Sequence, residues 1–520
     1  MQLTWLSLLP PLIVIGAMVV TQQLTLSLMI GIFSAALIAA QGQLVPALTL
    51  CAQKCIDHIA DIDMIFLYLL LIIVSSLIVL LTVTGSAAGC ARIISKKMKT
   101  ARSGELTTVM LAFLLSIDDY LSILTVGLVM TPMADKLAIV RTKLAYIVHA
   151  LAGPLVIVVP ISTWAAAILA QLDAAGVNQS ATSRIFADSF YVYLKTIPFI
   201  FYSIFTVLAI VFVVVSRVGF GAIKQAEQEI VALDDVLARA DESHQHDHSI
   251  IELLLPIGLL VGGVFVGILY AGNSFIFGGE NSLLEAFRQN NQTFLILFIS
   301  SCVAFITSVV LLLYKNMLAI GQLPQIVWEG FELIKSSIFV VALASILGTF
   351  LRLELQTGSY VAYLLLGKAP IFLIPVLFFV TSLIITLMTG SAWGAFSMLI
   401  PISTQMMISF LQLEVPVSLD QIPILFPVLG AVLSGAACGN HLSPFAETTM
   451  MTAASTGVEP LEHARTQFVY AAPVIIGTVV SFIVAGLTNS NGLLYSFLVS
   501  GATGIGIVMV LYVALMWSKK

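Results

Sequence analysis

Long apolar runs, separated by short polar or glycine- and proline-containing breaks, fill most of the chain. They cover residues 6–20, 24–40, 64–84, 106–130, 144–172, 190–215, 250–271, 294–314, 336–351, 371–388, 392–411, 422–438, 468–487 and 493–517. A helix needs about 20 apolar residues to cross hydrocarbon, and lipid offers backbone groups no partner outside a helix or a closed barrel. These runs are too long and too continuous for the alternating strands of a barrel. The pattern predicts an all-α polytopic membrane protein of roughly 10–14 transmembrane segments. Run 6–20 lacks a basic flank before it and leads straight into further spans, so it reads as a first transmembrane helix, not a cleaved leader. One sizeable polar stretch, 217–249, divides a first membrane repeat, 1–216, from a second, 250–520, and is expected to be a cytoplasmic linker.

Two of the runs are broken by chemistry. Asp118 and Asp119 sit in the middle of run 106–130. The arms 107–117 and 120–130 are each about 16 Å long as helix, which puts the acids near the bilayer midplane. A carboxylate there costs at least about 2.5–3.5 kcal/mol, so it persists where it meets water, a partner or an ion. Successive helical residues point in different directions, so both acids face one site only if the helix breaks there. The structural alternative is a buried acid paired with a lysine or arginine. Ser116, Tyr120, Ser122 and Thr125 add oxygens that suit a hard cation. The second break, 434–449, contains Gly439 and Pro444, both of which weaken a helix, and clusters Asn440, His441, Ser443, Glu447 and Thr448. A third interruption brings Ser162 and Thr163 after Pro160; a proline kink satisfied by hydroxyls explains it equally well.

The halves echo each other. Thr84-Gly85-Ser86 recurs as Thr389-Gly390-Ser391, and Arg141-Thr142-x-x-x-Tyr146 as Arg465-Thr466-x-x-x-Tyr470. Between the two markers lies one broken segment in each half. Ser86 and Ser391 thus become supporting candidates, with close helix packing as the plain alternative. Basic residues precede the Asp118 segment (Arg92, Lys96, Lys97, Lys99, Arg102) and follow it (Lys136, Arg141, Lys143). Cytoplasmic loops favour such charges, so a hairpin that dips to the midplane and returns keeps both groups inside. The Gly439 segment has Glu414 and Asp420 before it and Glu459, Glu462, His463 and Arg465 after it, which is not a basic pair of flanks, and it is expected to form a second hairpin entering from the opposite face. Two inverted repeats, each with a re-entrant hairpin and a broken helix, are the architecture of secondary transporters.

Composition agrees: 59% hydrophobic, 9% charged, net charge −5. There is no basic face for nucleic acid. Cys51, Cys55, Cys90, Cys302 and Cys438 are scattered and lack metal-site spacing. His244, His246 and His248 alternate in the linker, where a solvated tract is the simplest reading. An intramembrane aspartyl protease needs acids on two facing helices, which adjacent Asp118 and Asp119 do not supply; no enzyme is expected.

Several strings resemble the NhaC family of Na+/H+ antiporters: Ile117-Asp118-Asp119-Tyr120, Asp135-Lys136, Arg141-x-Lys143-Leu144-Ala145-Tyr146, Pro160-Ile161-Ser162-Thr163-Trp164, Thr389-Gly390-Ser391-Ala392-Trp393-Gly394 and Gly439-Asn440-His441-Leu442-Ser443-Pro444 with Thr448-Thr449. The resemblance implies the ion-transporter fold and exchange of Na+ (or Li+) for H+, with an organic acid or amine as the alternative cargo. It implies a cation- and proton-binding set of Asp118, Asp119, Asn440, His441, Ser443, Glu447 and Thr448, supported by Ser86, Ser162, Thr163 and Ser391. The family carries acids where this chain has Asn440 and, as aspartate, where it has Glu447. No cofactor is expected, and no metal beyond the transported monovalent cation. The expected partners are the small-ion or small-molecule substrate and the lipid bilayer of the cell's inner (plasma) membrane; a homodimer is compatible with this reading.

Overall fold

In a computed structural model, residues 4–21, 23–86, 89, 93, 98–180, 183–216, 219–220, 223–224 and 250–517 are described. Most of the polar segment 217–249, with His244, His246 and His248, lies outside the described residues, as do Cys90, Arg92, Lys96 and Lys97. The first half contains α1 (Leu9–Thr21), α2 (Leu24–Ala39), α3 (Leu44–Ala60), α4 (Ile62–Val83), α5 (Ala101–Leu114), α6 (Asp119–Lys136), α7 (Arg141–Ala150), α8 (Thr163–Ala174), α9 (Ser189–Thr196) and α10 (Phe201–Ser216). The second contains α11 (Ile251–Ala271), α12 (Leu283–Gln289), α13 (Thr293–Tyr314), α14 (Leu323–Thr349), α15 (Thr357–Leu365), α16 (Ile374–Thr389), α17 (Ala392–Phe410), α18 (Leu425–Leu442), α19 (Glu447–Thr456), α20 (Pro460–Thr488) and α21 (Leu493–Trp517). A two-residue parallel pair, Val177–Asn178 with Ile185–Phe186, is the sheet among the described residues.

The chain is an all-α polytopic membrane protein. Among the described residues, eight helices are long and apolar enough to cross a membrane, and nine if the pair Ser189–Phe199 and Phe201–Ser216, bent by 49°, is one span. Several runs that read as continuous spans are two half-helices instead, because a capping residue in mid-run restarts the helix. Leu115 ends α5, and Asp118 caps α6 by accepting from Leu121 N at 3.0 Å. Ser162 caps α8 in the same way through Ala165 N at 3.1 Å. In the second half Gly390, at φ 70°, ends α16 in the left-handed region that glycine adopts freely, and Ser391 caps α17 through Gly394 N at 3.2 Å. The fourth break, between α18 and α19, holds Ser443 and Pro444.

Contacts between helix ends give the topology. Gly104, near the start of α5, lies against Leu137 and Ile139 just past the end of α6, so α5 and α6 form a hairpin that leaves where it entered. Lys143 of α7 and Glu105 of α5 form a buried ion pair at 2.7 Å on that side. Arg141 binds Asp135 there at 2.7 Å and lies over Gly457, after α19. This defines a first face. On the second face Val417 N bonds Arg184 O at 2.8 Å, tying the approach to α18 to the loop that follows α8. Helices α16 and α18 run in parallel from that face, in contact at Gly435 and Gly439, where a Cβ would lie 2.4 Å from Phe379 O and 2.5 Å from Thr386 Cβ. Helix α17 returns to the same face, where Gln405 Nε2 donates to Arg352 O at 3.1 Å. Helix α20, 29 residues and so about 43 Å long, crosses fully from Gly457 to Gly486, which abuts Phe372 before α16.

Two re-entrant hairpins follow, α5–α6 from the first face and α16–α17 from the second. Each is succeeded by a broken span, α7–α8 and α18–α19, running in opposite directions. That is the expected inverted repeat, with one correction. The Gly439 segment is a broken span and not the second hairpin; the counterpart of the Asp118 tip is Thr389-Gly390-Ser391. The matching string Thr84-Gly85-Ser86 merely closes α4, with Gly85 also at φ 70°. Small polar strings with a left-handed glycine end helices wherever they occur, so the match in sequence does not mark equivalent positions.

Candidate functional site

Asp118 and Asp119 lie at mid-depth. They share a small void of about 10 Å³ with Ser75 and Ser337. Ser75 is near the middle of α4, and Ser337 is midway along the continuous helix Ile320–Glu354. Both acids are 5% exposed. Asp118 is engaged on both oxygens: Oδ1 holds Leu121 N, and Oδ2 accepts from Thr163 Oγ1 at 2.9 Å. Thr163 N also donates to Ile117 O at 3.2 Å, so the hairpin tip is fastened to the start of α8. Asp119 is the first residue of α6, where the helix N-terminus favours a negative charge.

Asp119 also opens onto a cavity of about 470 Å³, whose walls include Tyr120, Trp164, Trp393, Asn440 and Glu447. Ser391 and Thr448 complete the set of expected residues on this wall. The two tryptophans meet edge to face with centroids 6.4 Å apart. Tyr120 OH donates to Glu447 Oε2 at 2.5 Å and so joins the first hairpin to the second broken span. Neither lysine nor arginine is among the described residues lining the cavity.

Behind this wall runs a polar chain that the sequence reading missed. Asn440 Nδ2 donates to Gly390 O at 3.3 Å, and its Oδ1 accepts from Thr448 Oγ1 at 3.0 Å. Thr448 Oγ1 meets His149 Nε2 at 3.1 Å, and His149 Nδ1 meets His463 Nε2 and Gln467 Oε1, each at 3.0 Å. Gln467 Nε2 donates to His441 O, and His441 Nδ1 meets Tyr202 OH at 2.7 Å. His441 thus belongs to the chain behind the wall, away from the cavity. Ser443 is a backbone tie, donating to Leu387 O at 3.0 Å. Ser162 caps α8, and Ser86 bonds Thr84 Oγ1 at 2.9 Å beyond the end of α4; neither lines the cavity. The signal for His149 is that the apolar run 144–172 holds no other histidine and no aspartate, glutamate, lysine or arginine.

A model of the Na+/H+ antiporter family matches residues 175–487. The chain belongs to the Na+/H+ antiporter family. The matched stretch contains the second hairpin, both halves of the second broken span and the cavity residues they carry; Asp118 and Asp119 precede it. Along 515 residues the chain is 27% identical to an uncharacterized protein of Haemophilus influenzae, covering 97% of this chain and 94% of that one. Among solved structures its fold is similar to that of the YdaH transporter of Alcanivorax borkumensis, with TM-score 0.53, 14% identity and coverage of 82% of this chain and 85% of that one. MtrF of Neisseria gonorrhoeae aligns at TM-score 0.46 and 14% identity, over 86% of this chain and 85% of that one. This family member is therefore a multi-pass membrane transporter of an antiporter family.

Proposed function

We propose that the protein exchanges a monovalent cation, Na+ or Li+, for protons by alternating access, as a member of the NhaC branch in the inner (plasma) membrane. Asp119 carries cation and proton in turn, since one carboxylate binds either and the two compete. Asp118 holds the hairpin tip against Thr163, and Glu447 with Tyr120 lies across the cavity. No resident cofactor or metal is invoked. The observation that carries the reading is charge balance: two mid-depth acids and Glu447 converge where, among the described residues, no lysine or arginine lines the cavity, so neutralisation falls to a proton or a cation. Lys99, Arg102, Lys136 and Arg141 gather at the base of the first hairpin, which makes the first face cytoplasmic in this proposal.

Reconstitution in proteoliposomes with an internal pH dye, across a panel of cations, tests it. Proton movement driven by Na+ or Li+ is expected. No response to any monovalent cation would sink the proposal. A second reading, exchange of an organic acid or amine by the same fold, is favoured by one observation: a chamber of about 470 Å³ walled by Trp164 and Trp393 is far larger than a bare ion. A metabolite panel in Na+-free vesicles separates the two.

A further inference from the structure

With His149 neutral, the polar chain behind the chamber wall holds one hydrogen too few. Gln467 Nε2 donates to His441 O, so the other end of that amide, Oε1, meets His149 Nδ1 at 3.0 Å, and it can only accept. At the far end Asn440 Nδ2 donates to Gly390 O, so Asn440 Oδ1 meets Thr448 Oγ1 at 3.0 Å, and it too can only accept. Between these acceptors stand His149 and the Thr448 hydroxyl, 3.1 Å apart through His149 Nε2. Three contacts need three hydrogens. A neutral imidazole brings one to this row and the hydroxyl brings another.

The hydrogens can therefore run in two ways. With its hydrogen on Nε2, His149 donates to Thr448, and the Thr448 hydrogen goes to Asn440 Oδ1. His149 Nδ1 then accepts from His463 Nε2, 3.0 Å away, and Gln467 Oε1 loses its donor. With the hydrogen on Nδ1, Gln467 is served and Nε2 accepts from Thr448. The contact left without a hydrogen is then the one between Thr448 Oγ1 and Asn440 Oδ1. The two gaps lie in different places. Gln467 is buried behind the wall, whereas Asn440 and Thr448 line the chamber of about 470 Å³. Two oxygens with no hydrogen between them can share a small hard cation, and a gap on the chamber side is the one that cargo can fill.

We infer that His149 is a positioning residue for the cargo: it takes the Thr448 hydrogen at Nε2 and so turns Thr448 Oγ1, together with Asn440 Oδ1, into a pair of oxygens open to a cation in the chamber. The inference rests on the cation exchange proposed above. It adds how an uncharged Asn440 serves, by an oxygen that the chain leaves free of any donor. The side chains against His149 are His463 and Gln467 of α20, Thr448 of α19 and, with ring centroids 5.1 Å apart, His441 of α18. Among the described residues no carboxylate bonds it, so hydrogen bonds and not a counter-charge set which nitrogen carries the hydrogen.

A double-mutant cycle on Na+-driven proton movement in proteoliposomes decides it. His149→Phe is expected to raise the half-saturating Na+ concentration by about 10–100-fold, the usual cost of removing the outer partner of a metal ligand. Thr448→Val should raise it at least as far. The double variant should be no worse than Thr448→Val alone, because His149 acts through that hydroxyl. A histidine that only packs would lower the melting temperature and leave half-saturation where it was. Effects that multiply in the double variant would mean that the two side chains act independently. Either result overturns the inference. If His149→Phe fails to fold, Gln467→Met removes the oxygen that holds the hydrogen on Nδ1 and takes its place in the cycle. A wild-type protein that moves no protons with any monovalent cation sinks the proposed function and this inference with it; wild-type exchange with multiplying effects sinks this inference alone.

Discussion

At the tip of the first hairpin, Asp118 turns the chain into α6 by accepting from the backbone three residues on; at the tip of the second, Ser391 does the same for α17. The two tips come from opposite faces and both reach the tract around the 470 Å³ chamber. Serine and aspartate cap comparably well, and either is worth about 1 kcal/mol to a helix. A carboxylate at mid-depth costs more than that. The serine tip is capped without a charge, so the cap alone does not account for a charge at the acid tip; the proposed function gives the acids there a role besides folding.

The comparison is broken most directly at Asp119, which follows the N-cap Asp118 as the first residue of α6. Asp119→Asn keeps size and removes the charge; cation-driven proton movement in proteoliposomes is expected to fall by at least about 1000-fold, some 4 kcal/mol in the barrier. Near-normal exchange in that variant would make the acid tip as structural as the serine one.

The hairpins are also anchored differently, and the next two effects follow from that. The first is tied down by charge, through Glu105 and Lys143, which are 5% and 3% exposed and 2.7 Å apart. Removing one member of a buried pair takes a close counter-charge from the other, so Lys143→Met should lower unfolding stability by up to about 3–5 kcal/mol, and adding Glu105→Leu should restore much of it. Thermal unfolding in detergent measures both, and equal melting of single and double variants would show that the pair contributes no anchoring. The second hairpin is tied down by close packing of α16 on α18. Gly435→Val pushes methyls at the Phe379 carbonyl, and overpacking of this kind costs about 1–3 kcal/mol. An unshifted melting temperature would mean that the two helices separate freely.

Much of this was written in the apolar pattern. The midplane depth of Asp118 followed from its two arms, since helix rise is constant, and the first hairpin followed from basic residues on both sides of it. The second hairpin was not legible, because Thr389-Gly390-Ser391 looks like any helix end, including Thr84-Gly85-Ser86. Whether a small polar string closes a span or turns a hairpin depends on what the next helix packs against. Of the expected site residues, Asp119, Asn440, Glu447, Thr448 and Ser391 share one chamber; His441 faces away from it because successive residues of α18 point to different sides, and Ser443, in the break after α18, is turned to Leu387 O. His463 and Gln467 share a face of α20 at i, i+4 spacing, but His149 is 314 residues from His463 along the chain, and no spacing rule connects it to them. Asp173 and Asp188 flank the loop after α8; the cavity they share is visible only once α14 is packed beside α8.

The smallest effect is the sharpest control. Ser391→Ala removes the cap that corresponds to Asp118 and should cost about 1 kcal/mol of stability, a modest drop in melting temperature. Because Ser391 lines the same chamber as Asp119, its hydroxyl is also within the region open to cargo. If it only caps, cation affinity stays constant while stability falls, and Ser391→Asp, another good cap, returns the stability. If it also holds the cargo, Ser391→Ala raises the half-saturating cation concentration at unchanged maximal rate. The first outcome keeps the tips chemically distinct; the second makes the serine tip a weaker, uncharged version of the acid one.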